Sequence, residues 1–378
     1  MKITLAKSDL EVALKVVSAT VGSGTDLSSH YLFRVKDGAA EVMSYDMRVF
    51  SRSPLTAEVD GEDGDAFTVE AWRLDKWVSS VKNGALTLSS DEKGEVIAKG
   101  TRSRNKLRSL DPSRFPFWDG LLSTAEDIGD VSPAVLHDAL GLSRHFVSAD
   151  DTNRPELCQI EGVEGVIKAT NRRAVSAVTV RSLMDLDLRI PGKDLGVVLK
   201  FLSDKTTQED KVSVKTATRS EGGGAAVIFC RPDGSYVGVS RPSAAMPRLP
   251  IEVEDSGVSL TLDVGEFAGA VDVLLASAPK GHDAVEFSTG EDGSLVLSMP
   301  SDAGGHDTYP LIRSTAEGLD DLTFALEFDY VRTLSDHFSL DHITFTVHQR
   351  KRGGYVSFTH DGDEEDSNFH HAVLLWRM

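Results

Sequence analysis

A helical pattern that recurs three times constrains this chain more than any other feature. The stretches "SDLEVALKVV", "AVLHDALGLS" and "GEFAGAVDVL" place their burial-prone residues at i, i+3, i+4 and i+7. The sets are Leu10, Ala13, Leu14 and Val17, then Leu136, Ala139, Leu140 and Ser143, then Phe267, Ala270, Val271 and Leu274. That spacing predicts amphipathic helices, each burying one stripe. Caps are expected at Ser8 or Asp9, at Ser132 ahead of Pro133, and at Asp263. A second helix of the same period follows in each third, on Leu74, Trp77, Val78 and Val81, on Leu195, Val198, Leu199 and Leu202, and on Val331, Leu334, Ser335 and Phe338. Between and after the helices lie alternating runs such as "YLFRVKDG", "ALTLSSD", "KVSVKTA", "AAVIFC", "SLVLSM" and "HITFTVH". Period-2 alternation bounded by Gly, Asp and Asn reads as strands and hairpins. The chain is therefore expected to be an α+β protein repeating a unit of about 125 residues three times, two helices on antiparallel sheet in each. The expected domains are 1–121, 128–250 and 256–378, joined near "LLSTAEDIGD" and "PIEVEDSG".

Length supports this division, because 378 residues exceed what one ordinary core holds. The net charge of −19 is unevenly placed. Residues 1–121 and 122–250 each carry a net −1, and residues 251–378 carry −17. The first two thirds thus leave room for basic surfaces that the overall charge would hide. No apolar run approaches the roughly 20 residues that span a bilayer, and the start "MKITLAKSDLEVALKVV" lacks a signal-peptide core. Cys158 and Cys230 make neither a disulfide framework nor a zinc set, which fits reduced thiols in the cytoplasm.

Several stretches resemble the bacterial sliding clamp, the beta subunit of DNA polymerase III. "MKITLAKSDLEVALKVV" resembles the opening strand and helix of that family, and "TRSRNKLRSLDPSRFPFWDG" the end of its first domain. "VIKATNRRAVSAVTV", "LRIPGKDLGVVLKFL" and "FDYVRTLSDHF" resemble segments of its second and third domains, and "AVLLWRM" its apolar closing strand. The resemblance spans nearly the whole chain and rests on order and spacing rather than on any one motif. It implies a head-to-tail ring of two subunits, sheets outside and helices lining a hole that encloses double-stranded DNA. It implies a processivity factor without a catalytic site or cofactor, tethering a replicative DNA polymerase and placed on DNA by a clamp loader.

The resemblance also carries residues. A sliding ring touches phosphates loosely and reads no bases. The helix faces opposite the buried stripes offer Lys7, Lys15, Arg73, Lys76, Arg144, Lys193 and Lys200 for that contact. The third domain is poorer, with Lys280 and Arg332 among Asp272, Asp329 and Asp336. Arg154 in "DDTNRPEL" matches a DNA-contacting arginine of the family, whereas the loop "VGSGTDLSSH" has no counterpart to the other. The partner-peptide pocket maps to Leu157, Thr170, Arg172, Arg173, Val175, Pro247, Tyr330 and the tail Val373, Leu374, Leu375, Trp376, Arg377 and Met378. An apolar groove of this kind suits a short peptide with apolar anchors. The subunit interface maps to Arg73, Trp77, Arg104, Asn105 and Leu107 on one side and to Leu274 and Leu275 on the other. Asn105 replaces an apolar residue of the family. Arg102, Arg104, Lys106 and Arg108 face a third domain of charge −17, so electrostatics should count for more here.

Other chemistries have weaker support. His360, Asp361, His370 and His371 cluster near the end, but without a tight metal-ligand pattern. "EGGGAA" lacks the lysine of a phosphate loop, and no Gly-x-Ser-x-Gly elbow occurs. The alternative function is a scaffold of the same fold that binds proteins without encircling DNA.

Overall fold

In "KITLAKSDLEVALKVV" the chain changes from a two-residue to a helical period within a few residues, and the backbone follows: a strand Lys2–Ala6 runs directly into α1 (Lys7–Val17). The computed structural model describes residues 1–24, 26–91, 94–116, 118–149, 153–180, 186–203, 211–218, 225–249, 257–316, 323–349, 354–361 and 369–375. For 349, 361 and 369–375 only the backbone is described. The helices after α1 are α2 (Ala71–Ser80), a short α3 (Asp119–Leu122), α4 (Pro133–Ser143), α5 (Leu195–Leu202), α6 (Val264–Leu275) and α7 (Phe328–Phe338). Except for α3, each follows a strand, with a short 3-10 turn intervening before α5, so the order strand, helix, strands, helix occurs three times.

Asp263 caps α6 as expected, Pro133 stands at the start of α4 as expected, and the first helix departs from the expectation. The Asp263 carboxylate accepts from Glu266 N at 2.7 Å and caps α6. Pro133 opens α4, with Leu136 N bonded to Ser132 O. The first helix starts earlier than expected. Ala6 is its N-cap and makes no side-chain bond, so neither Ser8 nor Asp9 caps it. Val81 lies just past α2 as its C-cap rather than within it.

The described chain divides into two compact units: Met1–His137 with Asp185–Ser243, and Asp138–Met184 with Ala244–Met378. In the first unit one antiparallel sheet runs 58–60, 2–6, 85–90, 96–100, 103–107. A second sheet has eight strands in the order 126–131, 212–218, 225–230, 236–241, 49–55, 39–46, 30–36, 66–70. Tyr236 pairs with Arg52 and Val239 with Val49, so strands from the first and second thirds share this sheet. Phe50 stacks on Trp118 at 4.1 Å and covers Gly238, where a Cβ would lie 2.1 Å from the ring. Glycine is needed there for close approach. α1 and α2 bury Leu10, Ala13, Leu14, Val17, Leu74, Trp77 and Val78 in one core with Phe33 and Phe67. Each large apolar side chain so placed contributes about 1.5–3 kcal/mol.

In the second unit a sheet runs through 159–163, 166–170, 174–179, 369–375, 354–361, 342–349, 258–263 and 315–316. The terminal strand Phe369–Leu375 is therefore interior, with Val373 opposite both Val175 and Ser357. A four-stranded sheet runs 306–311, 295–300, 284–289, 324–327, and Phe267, Phe287 and Phe324 stack in succession beneath α6. Cys158 and Cys230 form no disulfide, and burial pushes the Cys230 thiol up to about 11. Among the described residues no helix is long and apolar enough to cross a membrane.

Candidate functional site

Because α1 and α2 bury one stripe, their other faces meet solvent. Lys15, Arg73 and Lys76 are exposed there, as expected. Lys7 is not. It is 9% exposed, its ammonium donates to Val81 O at 2.9 Å and it lies 3.4 Å from Glu11. Three residues before Leu10 and seven before Leu14, Lys7 lies on the buried stripe of α1 rather than opposite it, and it is spent on structure. On α5 and the turn before it, Lys193 and Lys200 are exposed. Asp194 between them is buried, and burial raises its carboxyl.

In the second unit Arg144 and Arg154 are exposed, and Arg154 reaches Glu156 at 3.3 Å. Beside Arg144 a cleft of about 680 Å³ is lined by His145, Glu327, Asp329, Tyr330, Arg332, Thr333, Asp336 and His337. His337 lies 3.1 Å from Asp138. Burial lowers the His145 imidazole, and the nearby Arg144 and His337 act in the same direction. The cleft carries three carboxylates around one guanidinium and is no match for a phosphate backbone. Among the described residues no group of three or more side chains could hold a metal ion. Of the cluster noted in sequence, His360 packs against Phe338 at 4.3 Å, while the side chains of Asp361, His370 and His371 lie outside the described residues.

The residues assigned to a peptide groove divide by burial. Leu157, Thr170, Val175 and Tyr330 are buried and Pro247 is exposed. The Thr170 hydroxyl donates to Ala174 O at 2.7 Å and accepts from Arg172 N at 3.1 Å, which shapes the turn 170–174. Asn171 donates to the Tyr330 hydroxyl at 2.6 Å, and Tyr330 stacks on Phe146 at 5.4 Å. Val175 forms a small apolar cluster with Tyr355 and Leu249. The backbone of Val373 and Leu374 runs beside Val175 and Ala174, so fold and register bring the tail to this turn. Trp376, Arg377 and Met378 lie outside the described residues, and of the Val373, Leu374 and Leu375 side chains nothing is described. The two arginines differ. Arg173 is bound to Glu327 at 2.7 Å and Asp283 at 3.3 Å, whereas Arg172 is exposed and holds a left-handed backbone, φ 75°.

The candidate interface also rearranges. Arg104 and Asn105 are exposed on the Ser103–Leu107 strand, an edge of its sheet among the described residues. Trp77, Leu107 and Leu274 are buried at 4%, 5% and 2% and belong to the interior; Leu275 is half-buried. The apolar groups that do face outward are Trp72 on α2 at 55%, Val273 on α6 at 57% and Ile312 at 86%. Trp72 donates its indole N–H to Glu70 at 2.5 Å, and Arg73 lies over the ring at 4.8 Å while its Nε is 2.6 Å from Glu70. The helical period could have found Trp72, since Leu74, Trp77 and Val78 place it on the opposite face.

Comparison with solved structures identifies the architecture. The chain is similar over 100% of its length to a DNA polymerase sliding clamp from Bacillus subtilis, at 16% identity and a TM-score of 0.80, covering 99% of that chain. The Caulobacter crescentus pol III beta matches at 17% identity and a TM-score of 0.81, with 100% of each chain covered. A DNA polymerase III beta subunit from Thermotoga maritima matches at 15% identity and a TM-score of 0.79, covering 100% of this chain and 99% of that one. No protein-family model and no curated protein sequence matches the chain. The chain has the sliding-clamp fold.

Proposed function

We propose that the protein is a DNA polymerase processivity factor, a sliding clamp that encircles double-stranded DNA and tethers a replicative polymerase. The full-length match to sliding clamps carries this reading. On it, the chain divides into clamp domains 1–121, 128–250 and 256–378. Two copies join head to tail, the helices line the hole, and a loader places the ring on DNA in the cytoplasm. The role is binding rather than catalysis.

Local features support the parts of this reading. Lys15, Arg73, Lys76, Arg144, Arg154, Lys193 and Lys200 are exposed cations suited to loose phosphate contact. Lys7 is withdrawn from that set by its burial. The basic edge strand Ser103–Leu107 and the strand His306–Leu311 both end a sheet among the described residues, which suits pairing between copies. Arg73, Arg104 and Asn105 remain interface candidates, with Trp72 in place of Trp77 and Val273 and Leu275 in place of Leu274. Val175, Leu249, Tyr355 and Tyr330 with the terminal strand form the wall of the peptide groove, and Leu157, Thr170, Arg172, Pro247 and the tail residues complete it in our proposal.

The decisive experiment separates topology from stickiness. Protomers dissociated in high salt are mixed with nicked circular plasmid, and salt is then lowered so that rings close around the DNA. A clamp stays on the circle through gel filtration and is released when a restriction enzyme linearises the plasmid. Equal retention on linear and circular DNA would overturn the encircling function.

A further inference from the structure

The turn 170–174 puts two adjacent arginines in opposite circumstances. Arg173 is bound to Glu327 at 2.7 Å and to Asp283 at 3.3 Å. Arg172 is exposed, and its guanidinium makes no hydrogen bond or ion pair among the described residues. The turn itself is firmly built. Asn171 Oδ1 accepts from Arg173 N and Ala174 N, both at 3.0 Å, and Thr170 Oγ1 accepts from Arg172 N at 3.1 Å. These bonds hold Arg172 at φ 75°, a conformation that suits glycine and strains a residue with a Cβ. A long cation kept where glycine fits better points to a use for its side chain.

A second arginine borders the same place. The segment Ala244–Leu249 is strapped to the strand Gln159–Val163: Gln159 donates to Ala244 O at 2.8 Å, and Glu161 accepts from Met246 N at 3.4 Å. Beyond the strap Pro247 and Arg248 are exposed, and Leu249 packs against Val175 and Tyr355. The Arg248 guanidinium also makes no hydrogen bond or ion pair among the described residues. Glu156 lies within the field of Arg172, but it is already met by Arg154 at 3.3 Å. A hydrogen bond from its own backbone, then Arg154 and the charge of Arg172, lower the Glu156 carboxyl. An apolar floor of Val175, Leu249 and Tyr355 thus lies beside two outward guanidiniums that no described carboxylate binds. They are a local exception in a chain whose last third carries −17 and repels acidic segments.

We propose that this groove selects acidic peptides: its occupant is a short partner segment that seats an apolar side chain on Val175, Leu249 and Tyr355 and sets an adjacent aspartate or glutamate against Arg172 and Arg248. The inference rests on the peptide-groove part of the clamp reading and adds to it the charge of the partner. The apolar floor supplies affinity, and the guanidiniums supply choice. Their planar forks match a carboxylate in two parallel hydrogen bonds, and complementary charge discriminates against neutral or basic segments of the same apolar pattern. A phosphate backbone would also meet the guanidiniums, but it has nothing to seat on Val175 and Leu249, so the observations favour a peptide.

The test selects random short peptides, displayed on phage, on the full-length protein. Enriched sequences should place an acidic residue beside an apolar one. One enriched peptide is then synthesised in three forms, with aspartate, asparagine or lysine at the acidic position, and binding is read by anisotropy. The wild type should prefer the aspartate form over the asparagine form by about 5-fold at low salt, as for an exposed ion pair, and salt should erode the preference. Arg172→Gly should abolish it, Arg248→Gln should reduce it, and Arg173→Gln should leave it intact. Arg172→Asp should bind the lysine form better than the aspartate form, a gain that misfolding cannot mimic. The inference is overturned if the wild type binds the aspartate and asparagine forms equally, or if Arg172→Asp keeps the wild-type order. It is also overturned if Arg172→Gly weakens binding of a duplex oligonucleotide and leaves the peptide untouched, which would assign the arginine to nucleic acid. Leu249→Ala separates the two levels of the argument. If no peptide is enriched, or enriched peptides bind Leu249→Ala as tightly as the wild type, the groove reading fails and the inference with it. Peptides that need Leu249 but ignore the aspartate overturn only the selection for acid.

Discussion

Arg173 donates to Glu327 at 2.7 Å, tying the turn 170–174 to the residue that precedes α7. Asp283 adds a second contact at 3.3 Å, and these carboxylates hold the Arg173 guanidinium above its ordinary range. Its neighbour Arg172 is exposed and has φ 75°. The two arginines therefore have separable roles, one structural and one available to a ligand. Arg173→Ala should lower thermal stability slightly, by about 0.5 kcal/mol for an exposed pair. Arg172→Gly removes the side chain while suiting the left-handed backbone, so stability should hold. Binding of a polymerase-derived peptide, read by anisotropy, should weaken for Arg172→Gly. Loss of stability with unchanged peptide binding would assign Arg172 to structure instead.

The two tryptophans of α2 make a second contrast. Trp77 is 4% exposed in the core, and Trp72 is 55% exposed beneath Arg73. Trp77→Ala should destabilise the fold by about 3–5 kcal/mol. Trp72→Ala should leave the melting temperature of dissociated protomers unchanged and weaken self-association by about 2 kcal/mol, near 30-fold. Light scattering of the wild type at micromolar concentration should give twice the chain mass of 40.9 kDa, and rising salt should weaken the dimer. A mass that stays at one chain, or that is insensitive to Trp72→Ala, would remove Trp72 from the interface.

A buried charge network predicts the acid limit of stability. Arg34 forks onto Asp119 at 2.6 and 2.9 Å and also holds Glu41, which in turn binds Arg52. Hydrogen bonds from Arg34 lead the effects that hold the Asp119 carboxyl down to about 2, from an ordinary 3.8. A depressed carboxylate stabilises the folded state fully above its unfolded value and loses that contribution as pH falls through its folded value. The loss therefore falls between about pH 4 and pH 2. Asp119→Asn should lower the melting temperature at pH 7 by roughly 2–4 °C per kcal/mol removed. The gap from wild type should close by pH 2. A gap that persists at pH 2 would mean packing, not charge, holds α3.

The helices and most strands were legible because burial on one face imposes a local period. What covers that face was not. Lys7 reads as an outward cation, but the helix includes it, and at i, i+3, i+7 with Leu10 and Leu14 it falls on the buried stripe, where its ammonium reaches Val81 O. Trp77 enters the interface set through the family resemblance, which takes no account of burial, whereas Trp72 is the tryptophan of α2 that faces outward. The pairing of Tyr236 with Arg52 has no local signal, since it joins residues remote in sequence through one sheet.

The tail permits the sharpest dissection. Phe369–Leu375 is an interior strand, with Leu374 opposite both Ala174 and Val356 and Leu375 opposite Tyr355. Removing residues 374–378 strips ladder hydrogen bonds from two neighbours and should destabilise the second unit. Removing only 376–378 spares every described pairing and takes away Trp376, Arg377 and Met378. On the groove reading, that shorter truncation should keep the melting temperature and the oligomer and abolish binding of a polymerase-derived peptide, at a cost of about 2 kcal/mol or more for the tryptophan alone. Trp376→Ala should reproduce most of the loss. If the shorter truncation unfolds the protein, the final three residues belong to the core. If it remains assembled and binds the peptide as the wild type does, the groove lies away from the tail.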